Sequence, residues 1–169
     1  MRPRLILTED NEMAIRSAAR GLILKEGQAL LERLADGEGG VMDTLPGGGQ
    51  NQYEPLTEAA VREVREESGY EVSVGRLVAV CEEIVGDPAL REQSPDYTHR
   101  VHHIFLCAVK DMPCGAATEP DLDQMDCVWM PLTEADALES LHPKAIRGKL
   151  VALAKAESCE FLGCEFISD

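Results

Sequence analysis

Three glutamates, Glu63, Glu66 and Glu67, are the residues of this 169-residue chain whose types and spacing most directly indicate chemistry. Their i, i+3 and i+4 spacing places them on one face of a helix, which turns by about 100° per residue. Like charges at this spacing repel one another and destabilise the helix. Carboxylate oxygens are the ligands that Mg²⁺ and Mn²⁺ prefer, so a bound divalent cation would relieve the repulsion.

The charge pattern of this segment also has a plainer interpretation. Helices rich in Glu and Arg are usually solvated faces crossed by ion pairs, and Arg62 and Arg65 alternate with the glutamates. Three consecutive glycines at 47–49 let the backbone come close to a ligand, which favours a binding site. The neighbouring apolar face predicts that the carboxylates lie where the helix meets a sheet. Its residues are Leu56, Ala60, Val61 and Val64.

Residues 48–70 resemble the Nudix box, the signature of the Nudix hydrolase family. The lead-in at 45–48, Leu-Pro-Gly-Gly, is similar to the usual one. Two positions depart from the signature: Tyr53 stands where many members have glycine, and Tyr70 stands where an aliphatic residue is commoner. Every charged and glycine position of the signature is present. These positions are Gly48, Glu54, Arg62, Glu63, Glu66, Glu67 and Gly69.

The resemblance implies both a fold and an activity. The fold is of the α/β class, an α/β/α sandwich around a mixed β-sheet with the box as loop–helix–loop. The activity is hydrolysis, assisted by Mg²⁺ or Mn²⁺, of a nucleoside diphosphate linked to another moiety. Nucleoside triphosphates, ADP-ribose, nucleotide sugars and dinucleoside polyphosphates share that diphosphate, and residue spacing does not choose among them. The family also makes a homodimer plausible.

The same resemblance implies roles for the charged box residues. By position, Glu63, Glu66 and Glu67 are the metal ligands, and Arg62 orients a catalytic carboxylate. Glu66 or Glu67 is the simplest proton acceptor, since both already lie at the metal. Arg62, Glu66 and Glu67 are therefore the predicted catalytic residues.

Other positions are predicted to support the box or to contact the substrate. Gly48 and Glu54 hold the loop and the helix in place, and Gly69 ends the helix. Arg33 follows a predicted strand and is a candidate for binding phosphate, with a surface arginine as the alternative. Glu119, in a later loop, is a candidate carboxylate outside the box, but solvent exposure is the commoner fate of a loop residue.

Several histidines and aromatic residues have a structural interpretation that we favour over a functional one. His99 and His103 share a predicted strand face without a Cys or acidic partner at metal-ligand spacing. Tyr97 and Trp129 are possible base-stacking surfaces, yet aromatic side chains are more often part of a core.

Two other classes of function stay open. The fold can serve a regulator that binds a nucleotide without hydrolysing it, because fold does not determine function. Isomerases on similar scaffolds would need Cys and Glu residues in the pocket, and Cys81 beside Glu82 and Glu83 is the local candidate.

Composition limits the kinds of partner. The formal net charge of −15 argues against duplex nucleic acid and anionic membranes, which require a basic surface. No segment has the length of a membrane span or the pattern of a signal peptide, so we predict a cytoplasmic protein with reduced thiols at its six cysteines. The length predicts one domain over 1–169, with 1–13 as an N-terminal extension.

The predicted elements place the box helix among strands. Helical propensity, with Pro55 at the start and Gly69 at the end, predicts the helix over 55–68. Loops are predicted at 36–40, 47–52, 86–96 and 111–123 from their Gly, Pro and polar content. Strands are predicted at 16–24, 28–34, 41–45, 72–85, 98–109, 127–130 and 161–167, and further helices at 133–141 and 143–157.

Overall fold

A curled mixed β-sheet forms the centre of the computed structural model, which describes residues 15–93, 97–110, 115, 117 and 124–168. Apolar residues dominate the two strands of the first hairpin, as the sequence predicts for buried strands. The strands are β1 (Arg16–Lys25), β2 (Gln28–Ala35), β3 (Val41–Thr44), β4 (Gly47–Gly49), β5 (Val72–Val85), β6 (His99–Val109), β7 (Gln124–Pro131), β8 (Leu141–His142) and β9 (Glu160–Ile167).

The strand order brings the glycine loop against the centre of the sheet. The order is β8-β3-β2-β1-β6-β5-β9, and β4 and β7 pair additionally with β1 and β2. β1 pairs with β2 only beside the hairpin turn, at Leu24 opposite Ala29 and at Lys25 opposite Gln28. Farther along, β1 pairs with β4 on one side and runs parallel to β6 on the other. The gap between β1 and β2 is therefore filled by the glycines.

Helix α1 (Leu56–Ser68) carries the box glutamates and begins and ends as predicted. Pro55 precedes its first turn, and Gly69, with φ of 74°, donates its N–H to the carbonyl of Arg65. Within the described ranges, no helix combines the length and apolar composition that a membrane crossing requires. The other helices are α2 (Pro88–Gln93), α3 (Leu132–Asp136), α4 (Leu150–Leu153) and a 3₁₀ turn at Lys144–Ile146.

Two apolar layers cover the two faces of the sheet. Side chains alternate along β1, so Ala19 and Ile23 face one side and Leu22 faces the other. The buried face of α1 packs on the first side, and the short helices after β7 pack on the second. This arrangement confirms the predicted α/β/α sandwich. The second layer includes Ala135, Ile146, Leu150 and Leu153.

Several element boundaries differ from the sequence prediction. The helix predicted over 143–157 is wrong in extent: a 3₁₀ turn and α4 are separated by Gly148, whose φ is 67°. The helix predicted over 133–141 ends at Asp136, and residues 141–142 form β8 instead. β4 lies in a predicted loop because three glycines carry no strand pattern. The predicted extension at 1–13 and most of the predicted loop at 111–123 lie outside the described residues.

The packing of Leu22 predicts a measurable loss of stability. Leu22 is fully buried in the second apolar layer, so Leu22→Ala is expected to lower the free energy of unfolding by about 2–5 kcal/mol. Val41, 39% exposed, provides the control, because Val41→Ala removes a side chain that contacts water. Urea denaturation of the two variants measures both effects. Equal losses would contradict the placement of Leu22 in the core.

Candidate active site

The side chain of Arg62 joins the glycine loop to α1. Its Nε and Nη2 donate to the two carboxylate oxygens of Glu54 at 2.8 and 2.9 Å, and Nη2 also donates to the carbonyl of Gly49 at 2.9 Å. The hydrogen bond from Arg62, aided by the N–H of Asn51, lowers the pKa of Glu54 to about 2. The bond to Glu54 in turn raises the pKa of Arg62. This charged pair fixes where the loop meets the helix.

The same guanidinium contacts two of the predicted metal ligands. Nη1 of Arg62 lies 2.6 Å from Oε1 of Glu63 and 3.1 Å from Oε2 of Glu66. Glu63 lies directly over Gly48, where an added Cβ would stand 2.6 Å from its carboxyl carbon. A side chain at position 48 would therefore displace Glu63, which accounts for glycine at this place.

Glu67 is the buried member of the glutamate set. Its side chain is 3% exposed and accepts a hydrogen bond of 2.8 Å from the N–H of Gly47. Burial raises the pKa of Glu67 to about 9, and the negative charge of Glu32 adds to the shift, while the charge of Arg20 opposes it. Glu67 therefore carries a proton near neutral pH unless a cation compensates for its charge.

Glu32, which the sequence analysis missed, is the buried carboxylate whose charge acts on Glu67. It is 1% exposed on β2, where its Cα partners are Thr44 on β3 and Cys127 on β7. A signal was present, because a charged residue in an otherwise apolar strand is rarely buried without a reason.

Three arginines lie on the other face of the sheet from Glu32 and Glu67. Alternation along β1 puts Arg16 and Arg20 on the same side, and Arg100 of β6 stands opposite Arg16 in the register. Arg20 donates through Nη1 to the carbonyl of Leu45 at 3.0 Å and to the carbonyl of Gly47. Arg20 thus holds the glycine loop from the side that Arg62 does not reach.

Glu83 and His102 form a buried pair beside Arg100. The distance from Nε2 of His102 to Oε2 of Glu83 is 2.7 Å, and Nη2 of Arg100 lies 2.9 Å from the same oxygen. Burial lowers the pKa of His102 despite the hydrogen bond to Glu83. Burial alone would raise the pKa of Glu83, but His102 and Arg100 outweigh it and the pKa is lowered. The pair is therefore an ionised carboxylate beside a neutral imidazole.

A cavity of about 720 Å³ brings the two sets of residues together. This volume is within the range of small-molecule sites. The predicted residues that line it are Gly48, Arg62, Glu63, Glu66 and Glu67. Also in the lining are Arg16, Arg20, Arg100 and His102, which the sequence analysis did not name. Tyr97, named there as a possible base-stacking surface, and Glu83, named beside Cys81, line the cavity as well.

The two residues predicted to contact the substrate have different outcomes. Nε of Arg33 lies 2.8 Å from Oδ1 of Asp43, and Oδ2 of the same carboxylate accepts a hydrogen bond of 2.6 Å from the hydroxyl of Ser140. Arg33 is not in the cavity lining, so its contact with phosphate stays a prediction. Glu119 lies outside the described residues, and its role likewise stays a prediction.

The aromatic residues divide between core and cavity. Trp129 donates through Nε1 to the hydroxyl of Tyr70 at 3.0 Å, and the two rings meet edge to face, which fits a packing role. Tyr97 differs from the predicted core placement, because it is 51% exposed and its ring lies 4.7 Å below the guanidinium of Arg16.

Cys81, the local candidate for isomerase chemistry, is fully buried and is not in the cavity lining. Burial, with the nearby charge of Glu83, raises the pKa of its thiol to about 12. A thiol this far from ionisation is a poor nucleophile near neutral pH. The geometry of Cys81 therefore gives the isomerase alternative no support.

The buried state of Glu67 predicts a pH dependence of stability in the presence of a chelator. The folded pKa near 9 exceeds the ordinary 4.5, so the folded state retains a proton that the unfolded chain loses. The free energy of unfolding therefore falls as pH rises from about 5 to 9, and Glu67→Gln removes this fall. Urea denaturation at pH 5.5 and 8.5 should show the variant gaining more than about 1 kcal/mol relative to wild type.

A matched substitution controls for the change from Glu to Gln on the same helix. Glu58 is exposed on α1, so Glu58→Gln should leave the pH profile parallel to that of wild type. A Glu67→Gln profile that also runs parallel to wild type would contradict the buried, protonated state of Glu67.

Comparison with known proteins agrees with this geometry. The sequence model of the NUDIX domain family matches residues 15–150. A NUDIX hydrolase from Nitrosomonas europaea has a similar structure, with a TM-score of 0.66 and 15% identity over 84% of this chain and 89% of that chain. An ADP-ribose pyrophosphatase from Streptococcus suis 89-1591 has a TM-score of 0.59 and 19% identity, covering 90% of this chain and 100% of that chain.

A MutT NUDIX hydrolase from Burkholderia pseudomallei is 27% identical, with a TM-score of 0.52, and covers 71% of this chain and 85% of that chain. No curated protein matches the sequence. The family match nevertheless spans most of the chain and includes the whole of α1 and the arginine-bearing strands. The chain therefore belongs to the NUDIX domain family and is a Nudix hydrolase.

Proposed function

We propose that this protein uses Mg²⁺ or Mn²⁺ to hydrolyse the diphosphate linkage of a nucleoside diphosphate joined to another moiety. The observation that carries the proposal is the arrangement of charges in the cavity. Glu63, Glu66 and Glu67 form one side, which we call the wall, and the arginines at 16, 20 and 100 form the other, which we call the floor. Candidate substrates are nucleoside triphosphates, ADP-ribose and nucleotide sugars. The similar structure from Streptococcus suis, named an ADP-ribose pyrophosphatase, is a reason to include ADP-ribose among them.

The three glutamates fit a hard divalent cation by their chemistry. Their oxygens are the donors that Mg²⁺ and Mn²⁺ prefer, and the buried Glu67 is crowded by Glu32 and Glu63 in a way that a cation would relieve. Among the described residues, no three His, Cys, Asp or Glu side chains already stand at metal-ligand spacing. The reason is local: Glu63 and Glu66 turn to Arg62, and Glu67 turns to Gly47. Binding would therefore require these side chains to turn.

When bound, the cation would acidify a water molecule and neutralise charge on the phosphate under attack. The protein's own residues have separate tasks. Arg62 keeps Glu63 and Glu66 side by side, while Arg20 holds the loop that bears Gly47. Glu66, or Glu67 once a cation keeps it ionised, accepts the proton of the attacking water, and water displaces a phosphate-containing group in line.

We also propose a class of partner for this protein. A small nucleotide derivative is the partner that the cavity suits, and the net charge of −15 disfavours duplex nucleic acid. A homodimer and a cytoplasmic location stay predictions.

The proposal predicts loss of turnover when Glu66 is neutralised. Glu66→Gln should lower kcat by about 10²-fold or more, since it removes a cation ligand and a proton acceptor. The measurement is product release from a panel of nucleoside triphosphates, ADP-ribose and nucleotide sugars with Mg²⁺, with Mn²⁺ or with EDTA. Glu58→Gln, the same change on the exposed face of α1, should retain activity.

The panel also separates hydrolysis from regulation. Turnover that survives EDTA or Glu66→Gln would contradict the metal-dependent mechanism. Tight nucleotide binding by wild type without turnover of any panel member would favour a regulator that binds without hydrolysis.

A further inference from the structure

Two arginines on the floor of the cavity carry charge that the box chemistry leaves unused. Arg16 of β1 and Arg100 of β6 are Cα partners in the parallel register, and both line the cavity. Neighbouring strands lie about 4.8 Å apart, so the two side chains rise from the same face at adjacent positions. Like charges at adjacent cross-strand positions are destabilising unless an anion lies between them.

Arg16 is presented to the cavity without an anionic partner among the described residues. Its guanidinium lies 4.7 Å from the ring centre of Tyr97, and it packs so closely on Gly49 that an added Cβ there would be 2.6 Å from Nη2. No ion pair in the described part of the chain includes Arg16. Ring and backbone thus orient the guanidinium, and no carboxylate in the described ranges forms an ion pair with it.

Arg100 is only partly compensated. Glu83, its one carboxylate partner in the part of the chain that the structure describes, is shared with His102. Nε of Arg100 is buried without a hydrogen-bond partner among the same residues. His102 adds no charge when neutral, and the nearby Arg20 adds another positive charge. On the floor, among the described residues, the carboxylate of Glu83 therefore stands against three guanidinium groups, of which Arg20 also acts on Glu67. This excess of positive charge is local, in a chain whose net charge is −15.

We propose that Arg16 and Arg100 form a phosphate subsite for a substrate phosphate beyond the diphosphate that the box glutamates handle. The inference rests on the proposed function and deepens it by naming the substrate class. A single arginine binds phosphate oxygens through two parallel N–H donors, and two adjacent arginines suit a group with several anionic oxygens. The subsite favours nucleoside triphosphates and longer polyphosphates over ADP-ribose and nucleotide sugars, which have a neutral sugar in place of the additional phosphate.

The test compares ligands that differ by one phosphate. Binding of the α,β-methylene triphosphate and α,β-methylene diphosphate of each common nucleoside is measured by calorimetry, with Mg²⁺ and with EDTA. Arg16→Gln should raise the Kd of the triphosphate about tenfold and that of the diphosphate less than threefold. Arg16→Lys, which keeps the charge, should recover part of the loss. Arg65→Gln, on an exposed arginine outside this cavity, should change neither Kd.

A further variant, Arg100→Gln, removes one partner of Glu83 and leaves it paired with His102 alone. Thermal melting of this variant identifies any loss of fold. The half-buried Arg16 keeps the test valid if Arg100→Gln unfolds. Equal effects of Arg16→Gln on both ligands, or no effect on either, would overturn the subsite. Inorganic phosphate is titrated in parallel: if Arg16→Gln weakens only its binding, the subsite holds a free phosphate, and the inference about substrate class fails.

The outcomes also separate this inference from the proposed function. Selective loss of triphosphate binding in Arg16→Gln, with no turnover of any nucleotide by wild type, would support the subsite and reject the hydrolase proposal. Metal-dependent turnover that prefers ADP-ribose, with equal effects of Arg16→Gln on all substrates, would support the hydrolase proposal and overturn the subsite.

Discussion

The guanidinium of Arg62 lies between the glycine loop and the glutamates of α1, and the geometry of the cavity wall depends on it. Its planar fork meets both oxygens of Glu54 and the carbonyl of Gly49, while Nη1 reaches Glu63 and Glu66. A lysine would supply the charge but not these directed donors. Because these contacts are shared among the three nitrogens of one rigid group, the loop, the start of the helix and two carboxylates keep a common arrangement.

The cavity contains a set of negative charges on the wall and a set of positive charges on the floor. Each set is energetically unfavourable on its own. Burial next to Glu32 raises the pKa of Glu67, so the glutamate wall is short of positive charge. The floor has the opposite imbalance, since Arg16 and Arg100 have little negative charge beside them among the described residues. A cation on the wall and a phosphate chain across the floor would correct both at once. This complementarity would allow a chain with a net charge of −15 to hold a polyanionic ligand.

Local sequence signals predicted the wall but not the floor. The spacing of the glutamates and the stop at Gly69 describe one helix, and a single helix can be derived from contiguous residues. Even the departure at Tyr53 has a local reason: the residue has φ of 67°, the conformation for which glycine is usual, and its side chain is 95% exposed. Arg16 and Arg100, in contrast, meet only through parallel pairing of β1 with β6, and no local periodicity reveals which distant strands will pair. The helices after β7 were predicted to be too long for a related reason. Tertiary packing ends them before their helical propensity does.

The backbone of Gly47 contacts both the glutamate wall and the arginine floor. Its N–H donates to Glu67 on the wall, and its carbonyl accepts from Arg20 on the floor. The residue has φ of 137°, and an added Cβ would lie 2.8 Å from Cα of Arg20, so only glycine lets β4 approach β1 this closely. That approach depends on β1 leaving β2 after two residue pairs. The divergence of two strands is therefore what places a buried carboxylate and a row of arginines in the same cavity, and a change at Gly47 would act on both sets together.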